Sequence, residues 1–141
     1  MLNTTSDTVR HNPCLDCPGH CCSRNLINVC GYDAWTIAAN LYLNAADLLS
    51  FAEMEEKGKY DFILDSSGKA YCLVLSMREQ PDGGRRCVFL MDLPGQQTRC
   101  GVYSIRPLAC RTYPLALMNG QVVKKAWAFC PDEAWDLNLL D

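Results

Sequence analysis

Four cysteines lie within nine residues near the N-terminus, in the run C-L-D-C-P-G-H-C-C of residues 14–22. The thiolate form of cysteine is a metal ligand, and two cysteines separated by two residues commonly present their sulfurs to one ion. The Pro-Gly pair inside the run supplies the bend that brings the second half of it back toward the first. This spacing predicts a cysteine-ligated metal centre.

Four further cysteines lie where predicted turns begin or predicted strands end, and there the backbone can direct a sulfur inward. Eight thiols would suffice for two tetrahedral all-thiolate sites, or for one cluster with spare ligands. Adjacent side chains point apart in an extended chain, so we expect Cys21 and Cys22 to differ in how they meet a metal. The predicted metal ligands are Cys14, Cys17, Cys21, Cys22, Cys87, Cys100, Cys110 and Cys130.

The other candidate ligands fit a metal centre less well. Cys72 lies in an apolar strand pattern, where a free thiol behaves as a small hydrophobic side chain. Cys30 fits a role as a metal ligand and a structural role about equally well. Imidazole suits zinc and iron, and His20 is a better candidate than His11 because it lies inside the cysteine run. An exposed or outer-shell role suits His20 better still.

Five arginines accompany the candidate ligands. Four thiolates on one divalent ion leave the site anionic, so nearby cations would stabilise it and lower the thiol pKa values. Any single arginine is explained by the solvated surface, but five together favour charge compensation. They are Arg24, Arg86, Arg99, Arg106 and Arg111.

Composition restricts the class of protein. Apolar residues make up 49% of the 141 residues and charged residues 21%, so a hydrophobic core can form and global disorder is not expected. A net charge of −3 predicts no nucleic-acid partner. There is neither a readable secretory signal nor an apolar run of the roughly 20 residues that a membrane helix needs. We therefore expect a cytoplasmic protein that keeps its ten cysteines reduced, although an extracellular disulfide scaffold is the alternative.

The helix and strand patterns of the sequence predict a small α+β domain. Two helices in its N-terminal half and short antiparallel strands would surround the metal centre. Residues 1–13 are polar and aperiodic, and we interpret them as a flexible arm preceding a cysteine-cluster domain at residues 14–141. Helical spacing in the N-terminal half predicts one helix from Asp33 to Leu41 and a second from Asn44 to Gly58.

The rest of the chain has mainly strand patterns. We predict a short strand at residues 25–29, a hairpin formed by residues 62–64 and 70–76, and a strand at residues 86–90, followed by a loop to Thr98. Pro107 suits the first turn of a short helix that carries Cys110. A last strand over residues 121–129 would end next to Cys130.

Two motifs resemble those of the YkgJ-type cysteine-cluster family, which is named as a zinc- or iron-chelating domain. The first is C-x-x-C-x-G-x-C-C at residues 14–22, and the second is C-x-[IV]-Y-x-x-R-P-x-x-C-R-x-[FY]-P at residues 100–114. Cys87 and Cys130 fall where that family places its intervening and final cysteines. The resemblance implies metal binding at the eight cysteines and leaves the metal open. The cysteine motif also looks similar to that of flagellin lysine N-methylases, which are larger proteins.

Two metals and three functions follow from this pattern. Zinc would be redox-silent and would mainly stabilise the fold, whereas an iron–sulfur cluster could transfer electrons. The number and closeness of the thiols favour iron–sulfur over zinc by a small margin. The chain could be a metal-binding module acting with a protein partner, a metal-dependent enzyme with chemistry related to lysine N-methylation, or a structural zinc domain. A cleft lined by Arg106, Tyr103 and Tyr113 would favour the enzyme.

Overall fold

Short helices and short antiparallel strands alternate through residues 13–15, 17–58, 61–131 and 135, the residues that this computed structural model describes. The helices are α1 (His20–Arg24), α2 (Gly31–Leu41), α3 (Ala45–Leu48) and α4 (Leu108–Thr112). The strands are β1 (Leu49–Met54), β2 (Phe62–Ile63), β3 (Ala70–Leu75), β4 (Met77–Glu79), β5 (Arg85–Cys87), β6 (Leu90–Leu93), β7 (Gln97–Cys100), β8 (Leu115–Met118) and β9 (Gln121–Lys124). This architecture confirms the predicted α+β class.

Two further expectations concern the N-terminal arm and membrane-crossing helices. The predicted arm, residues 1–13, lies outside the described residues except for Pro13. Among the described helices, none combines the length and the apolar character that crossing a membrane requires.

The largest sheet has the strand order β1-β3-β2, and both outer strands run antiparallel to β3. In β3, Ala70, Cys72 and Val74 are buried at alternate positions, as the period of a strand requires. Residues 27–29 lie along β3 as well, through a bridge between Asn28 and Val74. The predicted hairpin is therefore confirmed, and the predicted strand at residues 25–29 is reduced to one bridge.

Helix α2 packs its apolar side on the core and leaves its aromatic side exposed. Ile37 is 1% exposed, whereas Tyr32 and Trp35 are more than half exposed. The helix begins two residues before the predicted Asp33, whose carboxylate accepts a hydrogen bond from the Cys30 N–H at 3.2 Å. The buried core around this helix consists of Ile27, Val29, Ile37, Leu48, Leu75, Cys87 and Val102.

The second predicted helix is wrong beyond its first turn. Asn44 does cap α3, accepting a hydrogen bond from the Ala46 N–H at 3.0 Å, but the helix ends at Leu48 and β1 follows directly. The residues after Leu48 fit a strand as well as one side of a helix. Every residue of β1, from Leu49 onward, pairs with a residue of β3. Tertiary pairing overrides local helical preference here.

Three two-stranded hairpins make up much of the C-terminal half: β4-β5, β6-β7 and β8-β9. The predicted loop before Thr98 is wrong, because β6 and β7 pair across a turn in which Gly95 has φ 78°. The predicted last strand is also too long, since β9 ends at Lys124 and a turn separates it from Cys130. Helix α4 carries Cys110 and follows Pro107, in line with the prediction.

Candidate metal centre

The first half of the cysteine run is held on the β6-β7 hairpin. Cys14 lies in a 3-10 turn, Pro13–Leu15, whose last carbonyl accepts a hydrogen bond from the Arg99 guanidinium. The Thr98 hydroxyl donates to the carbonyl of Cys17 at 3.0 Å. Two contacts with β7 therefore position the first two cysteines, although these residues are more than 80 positions apart in the sequence.

Gly19 connects the first two cysteines of the run to α1. Its φ of 82° lies in the left-handed region, which favours glycine. A Cβ atom at this position would lie 2.8 Å from Leu90 Cδ2, closer than carbon atoms approach one another. The Gly19 N–H donates a hydrogen bond to Cys17 Sγ at 3.3 Å. The glycine in the motif therefore permits both the bend and the close contact with β6.

Cys21 and Cys22 lie next to each other in α1, and their sulfur atoms are 3.9 Å apart. The extended chain assumed for these two residues is wrong, because they are helical; that the two thiols meet a metal differently stays a prediction. The two thiols share a hydrogen bond that favours ionisation of Cys21 and lowers its pKa to about 7. The same hydrogen bond raises the pKa of Cys22, which keeps the proton.

Three distant cysteines reach α1 through the core. Helix α1 packs against β5, the strand that ends at Cys87. Cys100 ends β7 and pairs with Leu90 across the β6-β7 hairpin. The half-buried Cys22, Cys100 and Cys110 all contact the hydrophobic core that includes Cys87. Four of the predicted ligands therefore surround one part of the core.

Cys130 is brought to the same region by the segment after β9. The Phe129 N–H donates a hydrogen bond to the Tyr113 hydroxyl at 2.6 Å, and the Lys125 N–H donates to the Pro114 carbonyl at 2.9 Å. The guanidinium of Arg24, the last residue of α1, lies 5.1 Å from the centre of the Phe129 ring. These contacts connect the cysteine at the C-terminal end of the motif pattern to the helix that carries Cys21 and Cys22.

The charge of Cys21, the thiol with the lowered pKa, acts on the pKa values of six other cysteines. Burial, followed by the charges of Cys87, Cys21 and Cys100, raises the pKa of Cys110 to about 12. Burial also raises the pKa of Cys130, on which the charges of Cys21, Cys14 and Cys17 act further. The thiols whose pKa the charge on Cys21 influences are Cys14, Cys22, Cys87, Cys100, Cys110 and Cys130.

Among the five accompanying arginines, Arg106 acts on the pKa values of several grouped thiols. Arg106 lowers the pKa values of four thiols against the opposing effect of burial, namely Cys14, Cys21, Cys100 and Cys110. The others have different surroundings: Arg24 faces Phe129, Arg86 pairs with Asp92 at 2.5 Å, Arg99 donates to Leu15, and Arg111 is exposed.

Asp33 contributes to the site although sequence reasoning placed it only at a helix start. It is buried, and its second carboxylate oxygen accepts a hydrogen bond from the Leu108 N–H at 3.1 Å, at the beginning of α4. The carboxylate thus joins α2 to the helix that carries Cys110. In the sequence, the signal for this role is a charged residue in the first turn of an apolar helix. That signal does not identify Leu108 as the distant partner.

The remaining candidate ligands have surroundings of their own. Cys30 is exposed, and its thiol donates to the Asp33 carboxylate at 3.3 Å. Cys72 is buried in β3 beside Met54, and burial followed by the charge of Asp61 raises its pKa. His20 is half-buried at the start of α1. The second histidine of the sequence, at position 11, lies outside the described residues.

A surface groove of about 480 Å³ adjoins α1. Its lining includes Arg24 from the helix and Arg86 from β5. A cleft lined by Arg106, Tyr103 and Tyr113 would favour an enzyme, and the lining of this groove does not include them.

The donor set of the grouped thiols suits zinc or iron. Sulfur is the preferred ligand atom of both tetrahedral zinc and iron–sulfur centres, and every described cysteine is a free thiol. Nevertheless, within the described ranges no three histidine, cysteine, aspartate or glutamate side chains are arranged at the positions that would hold an ion. The fold therefore gathers the thiols, and a metal would have to draw their sulfurs into coordination.

A group of cysteines of this kind is typical of metal-binding domains. Residues 13–131 match the family model CxxCxxCC, described as "Putative zinc- or iron-chelating domain". Because the match covers most of the 141 residues, the chain belongs to this family, as the two motifs indicated. No curated protein and no solved structure matches the chain. The family supports metal binding in general and does not choose between zinc and iron.

Proposed function

We propose that this chain is a metal-binding module whose eight grouped cysteines hold an iron–sulfur cluster or zinc. The observation that carries the proposal is the packing of Cys22, Cys87, Cys100 and Cys110 in and against one core cluster, with the Cys21 sulfur 3.9 Å from that of Cys22. Thiolates crowded in this way repel one another, and a bound cation would turn that repulsion into attraction. The proposed ligands are Cys14, Cys17, Cys21, Cys22, Cys87, Cys100, Cys110 and Cys130.

An iron–sulfur cluster is the favoured occupant. The thiols are many and close together in the chain, and this favours the cluster by a small margin. An iron–sulfur cluster would supply electron transfer when bound. The protein would then act as an accessory or electron-transfer module with a protein partner, in the reducing cytoplasm where thiols stay free.

The residues themselves would bind and shield the metal. Core side chains cover Cys87, so solvent has little access to this ligand. The Gly19 bend and the Asp33 carboxylate hold two of the contributing segments in place. The family assignment supports the chelating role.

Purification without oxygen tests the proposal. Metal analysis and acid-labile sulfide should show iron and sulfide together with a visible absorption band, or else zinc with no visible band. A reduced, folded protein that carries neither metal and takes up neither on addition would refute the proposal. If a chelator removes the metal and the chain unfolds, the structural zinc domain becomes the better account.

A further inference from the structure

The end of the β8-β9 hairpin is exposed on both of its faces. Leu117 and Val122 lie opposite each other on one face and are 73% and 53% exposed. Met118 and Gln121 pair on the other face and are exposed as well. Within the part of the chain that the structure describes, β8 and β9 form a sheet of their own. A two-stranded hairpin is only marginally stable in water, so a further strand beside this one would stabilise it.

The outer edge of β8 presents backbone groups without a partner strand. Residues of an antiparallel hairpin alternate between those that bond to the other strand and those that face away from it. The Lys125 N–H donates to the Pro114 carbonyl at 2.9 Å, so Pro114 faces β9. Leu115 and Leu117 follow one and three positions later and therefore direct their N–H and C=O groups to the outer edge. No other backbone group of the described residues bonds to them there.

The sequence of β8 contains none of the features that protect an open edge. Proteins commonly prevent such an edge from pairing by placing a lysine, a proline or a bulge on it. Strand β8 has the sequence Leu-Ala-Leu-Met and a continuous register, whereas β9 ends with the cationic Lys124. The uncharged edge of β8 therefore offers nothing that would select a charged partner. Its N–H and C=O groups match those of a second β8, and this pairing leaves the lysines on the outer strands.

We propose that β8 pairs with β8 of a second copy of this chain, in a four-stranded sheet of the order β9-β8-β8-β9. With the two-fold axis at Ala116, Leu115 of each copy lies opposite Leu117 of the other, and all the open backbone groups bond. The four leucine side chains then form the centre of one face, and no like charges lie opposite each other across the axis. The inference goes beyond the proposed function and involves no bound metal.

Sedimentation velocity of the full chain, in reducing buffer over a range of protein concentrations, tests the pairing. We expect a monomer–dimer equilibrium. Leu117→Lys places two cations at the centre of the interface, and Leu117→Pro removes an N–H that faces the open edge. Each change should raise the dimer Kd by about tenfold or more. Val122→Lys is the matched control, because it lies one strand away from the interface and should alter Kd by less than about threefold.

A wild type that stays monomeric up to about 1 mM overturns the proposal. A dimer that neither Leu117 variant weakens overturns it too, because another surface must then hold the two copies together. An equal loss in Val122→Lys would place the interface on the face of the hairpin and not on its edge, which also contradicts the pairing.

Hydrogen exchange of the wild type decides the question if circular dichroism shows that both Leu117 variants unfold. The amide protons of Leu115 and Leu117 should exchange more slowly as the protein concentration rises and the dimer forms. Equal exchange at low and high concentration refutes the pairing. Slow exchange of both protons in the monomer would show that another segment of the same chain covers the edge, and would refute it as well.

Discussion

Replacing Gly19 with alanine would test how the cysteine run is fitted onto the β6-β7 hairpin. Gly19 has φ 82°, and an alanine in the left-handed region costs about 1–2 kcal/mol. The new Cβ would also lie 2.8 Å from Leu90 Cδ2, and Leu90 is only 4% exposed, so its side chain cannot turn into solvent. Overpacking of this kind costs about 1–3 kcal/mol more. We therefore expect the free energy of unfolding to fall by about 2–5 kcal/mol.

Gly68 provides the matched control. It has φ 76° in an exposed turn, and a Cβ there would meet no atom within 4 Å. Gly68→Ala should therefore cost only the backbone part, about 1–2 kcal/mol. The comparison is made by urea unfolding in reducing buffer, followed by tryptophan fluorescence, with the denaturant slope checked for each variant.

The contact with Leu90 can be isolated by a double-mutant cycle. If the close approach is the cause, Gly19→Ala should cost less in a Leu90→Ala background, with a coupling free energy of about 0.5–3 kcal/mol. Equal losses in Gly19→Ala and Gly68→Ala, together with no coupling to Leu90, would refute the steric part of the argument. The cysteine run would then tolerate a side chain at its bend.

Three further predictions concern the ligands, their support and their protonation. Cys110→Ser should lower the amount of metal bound per chain. Cys72→Ala removes a buried thiol of β3 and should leave that amount unchanged. Equal metal content in the two variants would remove Cys110 from the proposed ligands. Asp33→Asn should destabilise the protein by about 1–3 kcal/mol, because one of the partly buried N–H donors to this carboxylate, such as that of Leu108, loses its acceptor. The exposed Asp47→Asn should change stability by less than about 1 kcal/mol, and equal effects in thermal unfolding would contradict the buried role of Asp33. The metal-free protein should lose stability as the pH rises from 9.0 toward about 12, because unfolded thiols ionise first while folded Cys110 keeps its proton. Unfolding curves across this range that do not change, or that change equally in Cys110→Ala, would show that Cys110 does not contribute.

Local signals in the sequence were sufficient wherever neighbouring residues decide the conformation. The cap at Asn44 and the bend at Gly19 depend on a few adjacent residues, and both were predicted. The hairpin that contains Cys72 was also predicted, because its alternating apolar residues and its turn lie close together.

Predictions failed where a distant partner decides the conformation. Leu49 and its neighbours have a spacing that fits a helix, yet they form β1 because β3 lies alongside them. The assumption of an extended chain at Cys21 and Cys22 failed for a related reason, because that segment folds as α1 against β5. In both cases the competing conformations are close in intrinsic preference, and tertiary contacts decide between them.

The sequence by itself determined that the protein is a cysteine-rich chain of the zinc- or iron-chelating family, because residue types and short spacings carry that information directly. Only the tertiary structure decided which cysteines pack in and against the core cluster, and that the sulfur atoms of Cys21 and Cys22 lie 3.9 Å apart. It also decided that Asp33 supports the helix of Cys110. Burial and charge depend on distances in space between residues that are far apart in the chain, and no local pattern encodes those distances.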